Sequence, residues 1–498
     1  MYLLGLDIGT GGCKATLMDF QGNVIYSGTR EYPTHYPKEG WAEQDPEDWY
    51  NSACALLRDI VGRGVPAEDI TAMCVSAATH TAVLLDDKLA VVRRAILWTD
   101  QRSAPQSERL HRELGEEILE ITCNKVSPVW TLPQLEWVRE NEPDIWARVS
   151  SIMFAKDYVR WRLTATRSTD WIDAAGSMLF DPCRQAWSER LCEILSLPAA
   201  CLPPTTPPES VVGTIIPAAA VETGLSTRTL VVTGTTDTAL EVFGAGALDS
   251  GQATLKLATA GRVCAITERP HPHPHLFNYR HVLRDRWYPG TGTKSCASSF
   301  RWFRDVFCGC ESEVARIAGQ NAYELIDSEA AKAPVGAEGL LFHPYLLGEL
   351  SPYNDPHLKA SFTGITMRHS KAHFARAVLE GVALSLLDSM SVLEELAIPI
   401  NDIRVIGGGA RSALWRQIIC DAIGRSVSKP RVDDSSFGGA MLAGIGAGVF
   451  ADARTAVTQC VRLSDPTVPN PDNHLTYRTI LGRYKAVHDC MAEVYHKG

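Results

Sequence analysis

The chain lacks the features that mark membrane proteins, secreted proteins and nucleic-acid-binding proteins. No apolar run reaches the about 18 residues of a transmembrane helix. The apolar run at the N-terminus contains Asp7 and has no basic stretch before it, unlike a secretory signal. The net charge is −10 without a long basic run, which argues against a nucleic-acid partner and against a polybasic membrane surface. We therefore expect a cytoplasmic protein.

A disulfide framework and a zinc site are also missing from the sequence. The 14 cysteines are scattered, and many lie inside apolar segments, as Cys74 and Cys420 do. This usage is typical of buried free thiols in a reducing cytosol. Cys308 and Cys310 form a C-x-C pair, but no second pair follows at the spacing of a zinc site. Three histidines alternate with prolines in residues 271–275, where a solvated turn is favoured over a metal site because no cysteine or acidic residue lies nearby.

Two common nucleotide-binding motifs are absent. A Walker A motif requires GxxxxGK[ST], and in the nearest match, residues 290–295, Thr293 replaces the glycine before Lys294. Residues 407–412 (GGGARS) loosely resemble GxGxxG, with Ser412 at the third position, but no clear βαβ unit follows. A dinucleotide-dependent oxidoreductase is therefore a disfavoured alternative.

The length of 498 residues predicts two large domains or about three smaller ones. The hydrophobic content of 45% and the charged content of 21% are those of a globular protein with full cores. The best candidate boundary is the polar stretch at 249–251, which divides the chain into domains 1–248 and 249–498.

The beginning of the chain, LLGLDIGTGGCKATLM (residues 3–18), predicts a β-hairpin, because two apolar runs flank a glycine turn. Gly9, Gly11 and Gly12 would let backbone N–H groups approach an anion without Cβ atoms in the way. Asp7 at the mouth of the turn is suited to hold Mg²⁺ through water. A phosphate site is one interpretation, and an ordinary hairpin is the other.

Two further glycine turns follow predicted strands. Residues 253–267 again predict strand, small-residue turn and strand, and the turn 407–409 follows the predicted strand 404–406. We call the segments 9–12, 258–261 and 407–412 the first, second and third glycine turns. Backbone amides at such turns gather to bind phosphate. The repeated hairpin indicates two related domains with a nucleotide between them.

Other patterns predict the remaining framework. Asp45 and Pro46 are typical of a helix start, and a helix is expected from there to residue 61. The other predicted elements are strands at 71–77, 82–85 and 230–234, helices across 103–165, a helix around 374–390 behind a Ser370 cap, a helix at 414–423 closed by Gly424, and a closely packing small-residue helix at 438–448.

Three segments carry polar groups suited to chemistry. Asp237 in GTTDT (residues 234–238) follows an apolar strand and is suited to be a general base, although the local sequence favours a helix N-cap for residues 238–243. His80 is more often a structural histidine than a ligand. WTDQR (residues 98–102) offers an aromatic ring, an aspartate and an arginine, which suit polyol hydroxyls. The alternative is a surface ion pair on a loop.

Together these stretches resemble the FGGY family of carbohydrate kinases, and its xylulose-phosphorylating members most closely. The resemblance covers about residues 1–485 and rests on LGLDIGTGGCKATLMD, GWAEQDPEDWY, AILWTDQRS, AKDYVRWRLT, DWIDAAGSMLFD, FHPYLLGELSPYNDP, ARAVLEGVALSL and VIGGGARSALWRQIICDAIG. It implies an α/β fold of two ribonuclease-H-like domains of the actin/hexokinase type with a cleft between them. It also implies ATP and Mg²⁺, a ketopentose acceptor (D-xylulose before other ketoses or polyols) and a homodimer. A non-catalytic actin-fold ATP-binding protein is the alternative.

The resemblance also implies roles for single residues. Asp237 matches the catalytic base, and Asp7, with Asp237, matches the carboxylates that handle Mg²⁺ through water. The positions that match phosphate and nucleotide contacts are Gly9, Thr10, Gly11, Gly12, Lys14, Thr259, Gly261, Gly408, Gly409 and Ser412. The positions that match the sugar pocket are Thr79, His80, Trp98, Asp100 and Thr238.

The sequence departs from the xylulose-kinase pattern at these same motifs. The chain has ATHT (78–81) where the pattern has Gln-Met-His-Gly, and GTTDT (234–238) where it has Gly-Gly-Gly-Asp-Asn. It has WTD (98–100) in place of Trp-Asn-Asp, and LATAG (257–261) in place of Leu-Gly-Thr-Ser-Gly. The loss of amide groups alters which hydroxyls find partners, and an unpaired buried polar group costs about 1–3 kcal/mol. The exact sugar is therefore left open by the sequence.

Overall fold

The computed structural model describes residues 1–497 and contains one large mixed sheet in each half of the chain. Strands of the first half are β1 (Tyr2–Ile8), β2 (Gly12–Asp19), β3 (Val24–Glu31), β4 (Glu43–Gln44), β5 (Ile70–Ala77), β6 (Ala82–Leu85), β7 (Ala95–Ile96), β8 (Ser151–Phe154), β9 (Thr169–Asp170), β10 (Phe180–Asp181), β11 (Ala186–Trp187), β12 (Thr205–Thr206), β13 (Val211–Thr214) and β14 (Leu230–Val232). Its helices are α1 (Pro46–Gly62), α2 (Ala104–Thr122), α3 (Thr131–Asn141), α4 (Pro143–Trp146), α5 (Ala155–Thr164), α6 (Trp171–Gly176), α7 (Glu189–Ile194), α8 (Pro217–Thr223) and α9 (Asp237–Gly244).

The second half continues the same alternation of strands and helices. Its strands are β15 (Gly251–Leu257), β16 (Gly261–Ala265), β17 (Gly290–Thr293), β18 (Leu341–His343), β19 (Ser361–Thr363), β20 (Ile400–Ile406) and β21 (Val427–Ser428). Its helices are α10 (Ala297–Phe307), α11 (Gly309–Ala318), α12 (Ala322–Ala330), α13 (Lys371–Glu395), α14 (Ala413–Ile423), α15 (Ser435–Gly446), α16 (Ala453–Cys460) and α17 (Pro471–His496). Short 3₁₀ helices lie at Ala67–Asp69, Ala199–Cys201, Ala337–Gly339 and Gly408–Arg411.

The two large sheets share one pairing pattern. The first has the strand order β13-β14-β5-β1-β2-β3, and the second has the order β17-β16-β15-β20-β21. In the first, β1 pairs antiparallel with β2 and parallel with β5. In the second, β15 pairs antiparallel with β16 and parallel with β20. The two glycine hairpins thus hold equivalent places, as their sequence similarity predicts.

Local signals set the helix boundaries. The Asp45 side chain accepts a hydrogen bond from the Glu47 N–H, and Pro46 opens α1, so the predicted helix is confirmed. Ser370 and His373 form a capping box at the start of α13, which is buried over most of its length. Gly424 ends α14 with a positive φ of 72°.

Helix α15 belongs to the second half of the sequence but packs on the first sheet. A Cβ on Gly5 of β1 would lie 1.8 Å from the Ser436 carbonyl oxygen, and one on Gly438 would lie 2.1 Å from the Leu240 carbonyl oxygen of α9. Only glycine permits this backbone approach. The predicted close packing of the small-residue helix is confirmed, and it joins the two halves.

Two local predictions are corrected by the structure. Residues 151–154 lie in the stretch predicted to be helical, but they form β8, which pairs with β6. A four-residue strand is too short for its pattern to be distinguished from a buried helical turn. Asp237 is the first residue of α9 and not its cap, because the Thr236 hydroxyl accepts from the Ala239 N–H.

The predicted division of the chain at residues 248 and 249 stays a prediction. Within residues 1–497, no strand of either large sheet crosses it.

All 14 cysteines are free. Across residues 1–497, none of the helices has the length and apolar character that a membrane span requires.

Candidate active site

Asp7 and Asp237 lie at the same edge of the first sheet. β1 and β5 are parallel, with Asp7 in register with Ser76, and the next residue of β5, Ala77, forms a parallel bridge with Thr236. Asp237 follows at once. Because parallel strands end at a common edge, the topology gathers polar groups there from three separate segments.

The carboxyl group of Asp7 has an unusual environment. Burial and then the negative charge of Asp237 raise the pKa of Asp7 to about 7, while hydrogen bonds from Ser76 and Ser435 oppose the shift. The Ser76 hydroxyl donates to Oδ1 of Asp7 at 2.7 Å. Two carboxylates that repel each other in this way form a site that a cation would stabilise.

Asp237 keeps one oxygen free. Its Oδ1 accepts hydrogen bonds from the backbone N–H of Thr238 at 2.6 Å and from the Thr238 hydroxyl at 3.2 Å. Within residues 1–497, Oδ2 has no hydrogen-bond donor and no cation lies within 4.0 Å of either oxygen. The carboxylate is oriented through one oxygen, and the other is available to accept a proton.

Two side chains donate hydrogen bonds to carbonyl groups of the first glycine turn. The Tyr32 hydroxyl donates to the Gly9 carbonyl, and the Gln44 side-chain amide donates to the Thr10 carbonyl at 2.7 Å. The turn closes on itself through the Gly9 N–H and the Gly12 carbonyl, 3.1 Å apart. A Cβ on Gly11 would meet nothing within 4 Å, so this part of the turn faces open space.

The second and third glycine turns lie side by side, because they end the parallel strands β15 and β20. Gly407 has a φ of +88°, and a Cβ there would lie 2.8 Å from the Leu257 carbonyl oxygen. A Cβ on Gly409 would lie 2.8 Å from the Leu257 Cβ, and one on Gly261 would lie 2.7 Å from Thr293. Gly408 itself is exposed with open space around it.

An acidic pair connects the third turn to the first hairpin. The Gly407 N–H donates to Oδ2 of Asp433 at 2.8 Å. The neighbouring Asp434 caps α15 and forms a 2.8 Å ion pair with Lys14 of β2. The predicted phosphate lysine is thus near the turns, and its ammonium group bridges the two halves of the molecule.

His80 forms part of an aromatic wall. Its Nδ1 lies 2.6 Å from the Gly176 carbonyl oxygen, and its Nε2 lies 3.0 Å from the hydroxyl of Tyr279. Trp130 packs edge-on against it at 4.5 Å and stacks with Tyr279. Burial lowers the pKa of His80 to about 3. The ring is therefore neutral and fixed at both nitrogens.

The other predicted sugar contacts have different surroundings. Trp98 is 38% exposed, and its Nε1–H donates to the Thr10 hydroxyl at 3.0 Å, which places the ring beside the first turn. Asp100 is fully buried, and its carboxylate is bound by the Arg102 guanidinium and the Ala42 N–H. The structure therefore gives Asp100 internal partners, which fix the loop that presents Trp98.

Three more of the predicted residues also have protein partners. The Thr79 hydroxyl donates to Asp173 at 3.4 Å. The Thr259 hydroxyl accepts from Arg301 at 3.3 Å, and Thr259 is exposed. The Ser412 hydroxyl caps α14 by accepting from the Trp415 N–H at 3.0 Å.

Sequence reasoning missed two residues of the second half that contact predicted sugar-site residues. Tyr279 comes from the second half of the chain and reaches His80, 199 positions earlier. Arg262 follows the second glycine turn and donates to the Thr238 hydroxyl at 3.4 Å. Neither belongs to a motif, although Arg262 in the apolar strand pattern of residues 261–266 was a visible irregularity.

The chain is similar to known proteins over nearly its whole length. A model of the N-terminal domain of the FGGY family of carbohydrate kinases matches residues 2–244, and a model of its C-terminal domain matches residues 258–447. The chain belongs to this family. It therefore has the two-domain FGGY fold of the actin/hexokinase type, and it is a sugar kinase of a family that uses ATP.

Individual relatives span the whole chain. A xylulose kinase of Bacillus subtilis is 33% identical and covers 98% of this chain and 96% of its own length. A gluconokinase of the same organism is 29% identical, with 96% and 94% covered. The solved structure of a xylulose kinase from Rhodospirillum rubrum superposes with a TM-score of 0.89 at 28% identity and covers 100% of both chains.

Proposed function

We propose that this protein transfers the γ-phosphoryl group of ATP to the terminal hydroxyl of a ketopentose, with D-xylulose as the first candidate. The free Oδ2 of Asp237, at the same edge of the first sheet as Asp7 and the first glycine turn, is the observation that carries the proposal. Relatives named xylulose kinase, each similar over nearly the full length, supply the candidate sugar.

Asp237 acts as the base in this proposal. Its Oδ2 accepts the proton of the sugar hydroxyl while the hydroxyl oxygen bonds to the γ-phosphorus. The bond between that phosphorus and the β-phosphate oxygen breaks, and ADP leaves. Because phosphoryl transfer has a loose transition state, positioning contributes more than the strength of the base. The hydrogen bonds from Thr238 to Oδ1 orient the carboxylate for this step.

Asp7, with Asp237, is the proposed site for Mg²⁺, held through water. The raised pKa of Asp7 supports this assignment, because a divalent cation would offset the repulsion between the two carboxylates. The ion would neutralise charge on the phosphates. Two carboxylates acting through water suit Mg²⁺, because the ion keeps several waters and takes only one or two protein carboxylates besides the phosphates.

The three glycine turns are the proposed nucleotide site. Gly11 in the first turn, Thr259 in the second and Gly408 in the third are all exposed. We assign the first two turns to phosphate and the third, through Gly408, Gly409 and Ser412, to the adenosine. Lys14 is assigned to phosphate through its place beside the first turn, where its salt bridge to Asp434 would have to rearrange.

The sugar is proposed to lie between the aromatic wall and Trp98. His80 and Tyr279 form the back of this pocket, and the Thr79 and Thr238 hydroxyls provide polar contacts. Asp100 acts indirectly, by holding the Trp98 loop. Closure of the two domains around the substrates would exclude water, the competing acceptor.

A coupled assay of ADP release tests the proposal. The full-length protein is given MgATP with D-xylulose, L-xylulose, ribulose, xylitol, erythritol or glycerol in separate reactions. ADP release that depends on a sugar, together with a sugar phosphate seen by mass spectrometry, supports it. ATP binding without sugar-dependent turnover for any acceptor would favour a non-catalytic ATP-binding protein. Size-exclusion chromatography with light scattering tests the homodimer that we also propose.

A further inference from the structure

Arg262 places a cation inside the proposed acceptor cleft. Its guanidinium donates to the Thr238 hydroxyl at 3.4 Å and lies 5.6 Å from the centre of the Phe277 ring. Thr238 in turn donates to Asp237 at 3.2 Å. A single residue therefore separates the guanidinium from the proposed catalytic base.

This guanidinium has few partners within the protein. An arginine has five N–H donors, yet within residues 1–497 the 3.4 Å contact with Thr238 is the one hydrogen bond that the Arg262 side chain makes. Over the same residues it has no carboxylate within 4.0 Å. The nearby Glu241 is occupied by Lys256, which contacts both of its oxygens at 2.6 Å.

The strand geometry places Arg262 on the face of the second sheet that is turned toward α9. A Cβ on Gly261 would point into the core of the second half, against Thr293 and Leu386. Successive residues of a strand face opposite sides, so Arg262 faces α9 together with its cross-strand partner Lys256. Burial and, to a smaller extent, the positive charge of Arg262 lower the pKa of His80 in the aromatic wall.

We infer that Arg262 forms a carboxylate subsite, and that acidic sugars are preferred acceptors over neutral polyols of the same length. The acceptor class is that of aldonates and ketoaldonates, with the carboxylate at the end remote from the phosphorylated hydroxyl. A planar guanidinium with unused N–H donors matches a carboxylate through two parallel hydrogen bonds. The inference rests on the proposed function, since it uses the same cleft and the same base.

Matched acceptor pairs test the inference. D-Xylonate and xylitol differ only at C1, as do D-gluconate and D-glucitol, and each is assayed by ADP release at saturating MgATP beside D-xylulose. We expect kcat/KM for each acid to exceed that of its neutral partner by about 10-fold or more. In Arg262→Gln, kcat/KM for the acids falls by about 10- to 100-fold more than for the neutral acceptors, mainly through KM, so that the preference for the acid within each pair is lost. Arg262→Lys, which keeps the charge but not the fork, restores part of the loss.

Arg269→Gln is the matched control, since Arg269 is exposed in the loop that follows the same strand. Thermal unfolding shows whether each variant is folded. An Arg262→Gln variant that lowers kcat for all acceptors alike and raises KM for ATP would assign Arg262 to the phosphates and overturn the inference. Turnover of D-xylulose without turnover of any acid would overturn it while leaving the proposed function intact. If no acceptor of either class supports ADP release, the proposed function itself fails.

Discussion

The hydroxyl of Thr235 donates a 2.8 Å hydrogen bond to Oδ1 of Asp170, the N-cap of α6. Asp170 belongs to a fully buried cluster in which Lys156 lies 3.0 Å from its Oδ2 and 3.5 Å from Oδ2 of Asp173. The bond therefore fixes the segment that carries Asp237, two residues further on, to the interior of the first domain.

Replacement of Thr235 by Val should lower kcat by about 10- to 100-fold, because small displacements of a positioned group are costly in phosphoryl transfer. KM for ATP should change little, since the glycine turns are untouched. Thr233→Val is the matched control, because Thr233 is equally buried but bonds to Thr206. Thr235→Ser should recover activity. Equal losses in the two valine variants would mean that the effect is only structural.

Asp237→Asn should reduce sugar-dependent ADP release by about 10²- to 10⁴-fold, the usual contribution of a general base. Asparagine keeps an oxygen for the Thr238 hydrogen bonds, so the fold and nucleotide binding should persist. Steady-state kinetics and titration with ADP measure the two properties separately. Turnover close to that of the unchanged protein would remove Asp237 from the mechanism.

Asp7→Asn should change the pH dependence of stability of the ligand-free protein. The unfolding free energy of the variant, compared with that of the unchanged protein at the same pH, should be higher at pH 8 than at pH 5. Burial and Asp237 raise the pKa of Asp7 from 3.8 to about 7, so the folded state retains a proton that the unfolded state has released. The unfolding free energy of the unchanged protein therefore falls as pH rises from about 4 to about 7, by about 4 kcal/mol over the whole interval and by about 3 kcal/mol above pH 5.

Asparagine carries no charge and escapes this loss, while its side-chain oxygen still accepts from Ser76. Urea unfolding at pH 5, 6, 7 and 8 measures the difference, with the exposed Asp465→Asn as control. A stability difference that stays constant over this range would contradict the raised pKa. The same variant should bind ATP with little response to added Mg²⁺.

Gly5→Ala should destabilise the protein by about 1–3 kcal/mol or more, because the new methyl group would meet the Ser436 carbonyl and force α15 away from β1. Gly482→Ala in α17 is the control. No atom lies within 4 Å of its added Cβ, and alanine favours a helix by about 1 kcal/mol over glycine. Thermal unfolding should show midpoints that move in opposite directions.

Much of the framework could be predicted from short-range patterns. The glycine turns, the Asp45 and Ser370 caps and the Gly424 helix end depend on a few neighbouring residues, and the structure confirms them. The site was harder to predict. The cap assigned to Asp237 belongs to Thr236, because a hydroxyl and a carboxylate one position apart give the same local pattern.

Other parts of the site depend on contacts that no local pattern contains. Tyr279 bonds to His80 across 199 positions, and Lys14 pairs with Asp434 across 420. Asp100 lies in a motif that predicts a sugar contact, yet Arg102 and the Ala42 N–H occupy its carboxylate. Such pairings depend on which strands lie side by side and on how helices cross them.

The sequence by itself determined where the chain turns, where its main helices begin and end, and which hairpins repeat, because hydrogen bonds between near neighbours and the alternation of apolar residues set these features. The tertiary structure alone decided which side chains meet. Parallel pairing of β1 with β5 brings Asp7 and Asp237 to one edge, and the crossing of α15 over Gly5 ties the two halves together. These are long-range contacts, whose partners are chosen by the packing of the whole molecule.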